Sequence, residues 1–200
     1  MTLAWLTAVS LFAFVMAMTP GPNNLIATAS GATFGLRRTL PQMWGVAIGA
    51  PVMLILLGLG VAQAMLAYPG LQTAMSWIGA AYLVWLAWKI ATAGPTESGD
   101  VTGAPPTFMQ SALFQWVNPK AWVLCLSAIA TYTHAGPDQM NEILVIAAIF
   151  IPMTFISLTV WAQFGVAMRR WLTSPLRLRL FNGTMAVLML ASLAPLFLSQ

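Results

Sequence analysis

The chain has 200 residues, 60% of them hydrophobic and only 6% charged, with a formal net charge of +4. Ordinary globular domains carry about 25% charged residues, so this composition excludes a soluble domain and points to an all-α membrane protein with its surface against lipid. The basic residues stand at the ends of apolar runs and form no solvated patch with interleaved aromatics, which excludes a nucleic-acid partner; the single cysteine, Cys125, excludes an intrachain disulfide and a cysteine metal cluster.

Cutting the chain at its polar and Pro/Gly clusters predicts six spans, at roughly 4–34, 43–65, 71–90, 108–132, 142–166 and 180–198. Residues 1–18 lack a basic leader and are expected to be retained, not cleaved. The first span is interrupted by Thr19-Pro20-Gly21-Pro22-Asn23-Asn24. Two prolines and a glycine in four positions cannot be helical, because proline removes a backbone donor and clashes with the preceding turn. Within a bilayer such a break is tolerated only where it lines a cavity or is buried in protein.

No charged residue occurs from Thr39 to Trp88, across the second span and most of the third. A small, polar, Pro/Gly-rich stretch, Gly94 to Pro106, follows the third span and reads as a flexible cytoplasmic linker. The fourth span is broken in its turn at Asn118-Pro119-Lys120. Near the fifth, His134, Asp138 and Glu142 read as solvated loop residues, and Cys125 as a small core residue.

Lys and Arg set the orientation. Arg37, Arg38, Lys89, Arg169, Arg170, Arg177 and Arg179 all fall on one side, leaving Lys120 aside. The odd-numbered loops are therefore expected in the cytoplasm and both termini outside. The linker divides the spans three and three, so the second half enters the membrane in the opposite sense. Repeat one then covers about 1–93, the linker 94–107 and repeat two 108–200, in a single transporter domain. The prolines agree with this: Pro20 stands nearly as far before Pro51 as Pro119 does before Pro152. Because proline is frequent in membrane helices, chance is the alternative.

Each break exposes the start of a half-helix. Pro22 suits a first helical position, where its missing N–H costs nothing, and Asn118 suits an N-cap ahead of Pro119. Free N–H groups and the positive end of a helix dipole bind carboxylates. Lys120 lies about 12 residues, or about 18 Å, along its span, and an intramembrane ammonium is by default a functional-site candidate. Its alternative is to snorkel to the cytoplasmic headgroups. With Asn23, Asn24, Asn118 and the carbonyls freed by proline, the inventory fits a small zwitterion. No Asp or Glu lies inside a span, Glu142 standing at the edge of the fifth, so Lys120 is also the candidate for proton coupling. Neither a Walker motif nor a nucleophile–base pair is present, so no enzyme chemistry, cofactor or metal is expected. Gly31/Gly35 and Gly45/Gly49 have the spacing for close helix approach, and the tryptophans read as interface belts.

"MTPGPNNLIATASGATFGLRRTLPQMWGVAIGA" (18–50), "WIGAAYLVWLAWKIATAGP" (77–95) and "ALFQWVNPKAWVL" (112–124) closely resemble the signatures of LysE/RhtB-type amino-acid exporters over essentially the whole chain. The resemblance implies a secondary exporter in the bacterial inner membrane, driven by the proton gradient or membrane potential. It marks Thr19, Pro20, Gly21, Pro22, Asn23, Asn118, Pro119 and Lys120 as motif positions. "SGATFGLRRTL" and "GAAYLVWLAWKIAT" look most like the cysteine/O-acetylserine branch, with threonine/homoserine export as a neighbouring type. A dibasic substrate needs a membrane carboxylate for its second amine, and none is present, which favours a neutral amino acid. Export of another solute or a cation, and a non-transporting membrane subunit, are the rival readings. The expected partners are a small amino acid, protons and the lipid bilayer; oligomeric state is left open, a homo-oligomer included.

Overall fold

The computed structural model describes residues 1–61, 68–92 and 103–191, and among them it contains helices and no strand. The end of the predicted second span (62–65), most of the linker (93–102) and the last part of the sixth span (192–198) lie outside the described residues.

Helix α1 (Leu3–Met18) starts at Thr2, whose hydroxyl accepts from Trp5 N at 3.2 Å, and it stops where Pro20 can no longer donate. Helix α2 (Pro22–Phe34) has Pro22 at its first position, as the sequence predicts. Only Gly35 separates it from α3 (Leu36–Leu56), and Gly35 makes that turn with φ of 79°, a conformation that favours glycine. Helix α3 contains Pro41 and Pro51 and widens into a π-helical turn at Leu57–Val61, broken by Gly60 at φ 106°. Helix α4 is Pro69–Thr92. Helix α5 (Phe108–Phe114) begins with a capping box between Thr107 and Gln110 and tightens into a 3₁₀ turn, Gln115–Val117. After Asn118 the chain resumes as α6 (Pro119–Tyr132), followed by α7 (Gln139–Arg169), which contains Pro152, and α8 (Pro175–Ala191).

Among the described residues, three helical segments are long and apolar enough to cross a bilayer: Leu36–Val61, Thr73–Thr92 and Gln139–Arg169. Helices α1 and α2 pass the same test as a pair bent by 59° at the Thr19–Gly21 break, the geometry of a broken crossing or a re-entrant loop. Leu11, Trp77, Ile78, Val123 and Phe164 are among the large apolar side chains left exposed on the outside of the bundle, where lipid offers the solvent that water cannot.

Helix α7 is the centre of the packing, lying against α1, α2 and α3; α3 in turn holds α5, and α4 pairs with α8. Lipid chains are as apolar as leucine, so helices join here through close packing, not through release of water. Gly31 of α2 lies against the Ala162 carbonyl of α7, and Gly165 of α7 lies against the Thr28 carbonyl of α2. On the other side of α3, Gly45 meets Phe108 and Gly49 has Ala112 Cα 2.6 Å from where a Cβ would stand. Buried clusters fill the remaining space. Met53, Leu54, Ile143, Ile146 and Phe150 form one, Leu25, Leu83, Leu86 and Phe114 a second, and Met43, Val46, Leu158 and Ala162 a third.

Two expectations need correction. Gly35 packs against nothing within 4 Å, so it serves the turn and not a helix contact. Arg37 and Arg38 are not in a loop but in the first turn of α3, because one glycine suffices to reverse the chain; Arg177 and Arg179 likewise lie inside α8.

Candidate functional site

The two breaks meet. Helix α1 ends with carbonyls that its own backbone cannot satisfy, and side chains from three other helices take them. Asn24 Nδ2 donates to both the Ala17 and Thr19 carbonyls at 2.9 Å. Ser157 of α7 donates to Ala17 O at 2.7 Å, and the Trp161 indole to Met18 O at 3.2 Å. The Lys120 ammonium, from the first turn of α6, donates to Thr19 O. A cation there sits at the negative end of the α1 dipole. Lys120 thus points into the break and does not run out along the surface.

The second polar link is between Asn23 and Gln115. Asn23 Nδ2 donates to Gln115 Oε1 at 3.0 Å, and Gln115 Nε2 donates to Asn23 Oδ1 at 3.4 Å and to Ser111 O at 2.8 Å. Asn118 caps α6, its side-chain oxygen accepting from Lys120 N at 3.1 Å. That bond closes one N–H which the sequence had offered to an anion. The breaks enclose a cavity of about 50 Å³ lined by Gly21, Asn23, Asn24, Asn118 and Lys120, together with Gln115, Thr154, Ser157 and an apolar wall that includes Val46 and Leu124. Both carboxylates among the described residues, Asp138 and Glu142, are absent from the cavity lining. The lysine charge is therefore met there by carbonyl and amide dipoles.

Of the nine residues singled out in the sequence, these five line the cavity. Thr19, Pro20, Pro22 and Pro119 shape the backbone instead: the Thr19 hydroxyl turns back to Val15 O at 2.8 Å, and only its carbonyl joins the cluster. Gln115, Ser157 and Thr154 were missed. Their signal was available, since Gln115 stands one turn before Asn118 and the other two stand within two turns of Pro152, all in apolar surroundings. His134 is away from this site; its ring Nδ1 lies 2.9 Å from Glu142 Oε1 and its main-chain N–H donates to Glu142 Oε2 at 2.7 Å, tying the loop to the start of α7.

A polar pocket between two broken apolar helices is the arrangement expected of a translocator, and the comparisons with known proteins agree. The model of the family described as LysE type translocator matches residues 14–200. The chain belongs to the LysE family. Among its curated relatives are the cysteine/O-acetylserine efflux proteins of Escherichia coli (strain K12) and Shigella sonnei (strain Ss046), each 32% identical over 171 residues, 85% of this chain and 87% of the relative. No solved structure matches the chain. As a LysE-type translocator it is a membrane transport protein for a small molecule, and not an enzyme.

Proposed function

We propose that this LysE-type translocator exports a small neutral amino acid or derivative, of the cysteine/O-acetylserine or threonine/homoserine type, from the cytoplasm in exchange for protons. The observation that carries the reading is the Lys120 ammonium on the Thr19 carbonyl at the meeting of the two breaks. That carbonyl, with Ala17 O beside it, is the natural acceptor for a substrate ammonium. A protonated Lys120 and a substrate amine then exclude one another, which is the relation an exchanger needs. The Thr154 hydroxyl and the Asn23 and Asn118 side chains, all on the cavity wall, are the groups for the substrate's carboxylate and side chain. The absence of a carboxylate from that wall favours a neutral over a dibasic substrate, and the cysteine/O-acetylserine efflux proteins among its relatives point the same way.

The proposed setting is the bacterial inner membrane, crossed six times, with both termini outside. In this reading the spans form two inverted repeats, about 1–93 and 108–200, whose first members are the broken spans. The packing supports it: α1 lies on α7 as α5 lies on α3, and the pairs α3–α7 and α4–α8 each unite equivalent members. Sites at the interface of such repeats are the rule in secondary transporters.

Everted membrane vesicles, which expose the cytoplasmic face, test this reading. Labelled cysteine, O-acetylserine, threonine, homoserine, leucine and lysine are offered with and without a proton gradient. Uptake of a neutral amino acid that requires the gradient, and is lost in a folded Lys120→Met variant, is the expected result. Gradient-driven uptake that survives in Lys120→Met overturns the coupling role, and no uptake of any of the six overturns the substrate class.

A further inference from the structure

A second cavity, of about 220 Å³, lies apart from the breaks where α2, α4 and α5 meet. Ser30 and Thr33 of α2 form one wall, Trp85 and Lys89 of α4 another, and Gly103 lies at the opening. Ser30 and Thr33 are 3% and 4% exposed, yet neither hydroxyl hydrogen-bonds to any described group. Thr28, on the same helix, behaves as a helical threonine usually does and donates to the Asn24 carbonyl at 2.9 Å. Two hydroxyls that leave their own helix unbonded and open onto a cavity are placed to donate to an acceptor within it.

The charge of the cavity says what that is. Lys89 Nζ sits 4.7 Å from the centre of the Trp85 ring, with no carboxylate partner among the described residues. Arg38, seated over the Phe34 ring at 5.3 Å, reaches the rim and donates to Gly103 O at 3.4 Å. Among the described residues, no Asp or Glu lines the space. One ammonium inside, one guanidinium at the rim and two free hydroxyls make a site for a small anion, and the Trp85 and Phe34 rings suit an apolar remainder.

We infer that this cavity is a second binding site, for a small carboxylate-bearing molecule, with Lys89 pairing the carboxylate and Ser30 and Thr33 donating to it. The site lies at the Arg38/Lys89 end of the bundle. Ser30 and Thr33 stand about 10 and 15 Å along α2 from Asn23 at helical rise. A role in loading the exported amino acid from the cytoplasm rests on the export reading; the binding of a carboxylate does not.

The test uses the full chain in lipid nanodiscs, carrying Lys120→Met so that the central cavity is disabled, and radiolabelled propionate as the probe. Saturable binding is expected, with competition by O-acetylserine and none by its methyl ester. Adding Lys89→Gln and Thr33→Val together should weaken binding roughly tenfold or more, by removing a charge-assisted partner and a donor. Lys89→Arg should retain most of it. Ser30→Ala, which removes one hydroxyl from a helix that accepts alanine readily, supplies a second reading and is also expected to weaken binding. Gel-filtration profile and melting temperature confirm that each variant is folded. No saturable propionate binding to the folded Lys120→Met chain overturns the inference, as does binding that neither Ser30→Ala nor the Lys89→Gln/Thr33→Val pair alters. Propionate is not an amino acid, so its binding survives a failure of the export reading. Absence of amino-acid uptake by the unsubstituted chain, with propionate binding intact, counts against export alone.

Discussion

Lys120 and Thr19 lie 101 residues apart in sequence, and the ammonium of the first is bonded to the main-chain carbonyl of the second. The bond joins the broken halves of the molecule through a charge and a helix end. In the proposed export reading, it also makes the lysine a built-in occupant of the place a substrate amine would take. Lys120→Met should therefore abolish gradient-driven uptake of neutral amino acids by everted vesicles while leaving the protein in the membrane. Lys120→Arg, with a planar fork in place of a compact ammonium, should restore the charge but not the full rate.

Gly21 tests the same contact from the other side. A Cβ there would stand 2.7 Å from Lys120 Cδ, so alanine must push the lysine side chain aside. The Gly21 backbone is extended, at φ −169°, and imposes no strain of its own. Gly21→Ala is expected to cost below about 1.5 kcal/mol in stability and yet to slow transport several-fold. Thermal melting and vesicle uptake, measured on the same preparation, separate the two effects.

Asn23 and Gln115 satisfy one another between α2 and the 3₁₀ turn. Asn23→Ala strands Gln115 Oε1 in a residue that is 1% exposed, at an expected cost of about 1–3 kcal/mol. Gln115→Leu on that background should recover part of the loss. A double-mutant cycle read by thermal unfolding in detergent should give a coupling of about 0.5–3 kcal/mol, and additive effects would remove the link.

At the α2–α7 seam, Gly31 and Gly165 each touch the opposite backbone, so no side chain can yield to an added methyl group. Gly31→Ala and Gly165→Ala should each cost about 1–3 kcal/mol by forcing the helices apart. The melting temperature should fall in both, before any effect on substrate preference.

Much of this arrangement was legible in the sequence because proline and glycine act locally. The stops at Pro20 and Pro119, the N-cap at Asn118 and the close-packing glycines Gly31, Gly45 and Gly49 are chemistry that needs no partner to be recognised. The positions of Arg37 and Arg38 were misjudged, since a polar pair reads as a loop until one sees that Gly35 alone turns the chain. Gln115, Thr154 and Ser157 were missed for a different reason. A polar side chain in an apolar span has many uses, and only the three-dimensional meeting of the breaks separates a cavity wall from a helix–helix contact. The destination of the Lys120 ammonium was also illegible, because the Thr19 carbonyl belongs to the backbone and leaves no mark in the side-chain pattern.

Helix α2 has 13 residues and an articulated end at each side: the Pro20–Gly21 break before it and the lone Gly35 after it. Its first turn carries Asn23 and Asn24 in one cavity, and its last two turns carry Ser30 and Thr33 in the other. A stiff rod between two joints is a lever. Both cavities share this one helix as a wall, so any displacement of it would alter the two spaces together. Gly35→Ala asks an L-residue to hold φ 79° with ψ 163°, a region open almost only to glycine, at a strain of roughly 1–3 kcal/mol, and should slow turnover from that end without touching either chamber's chemistry.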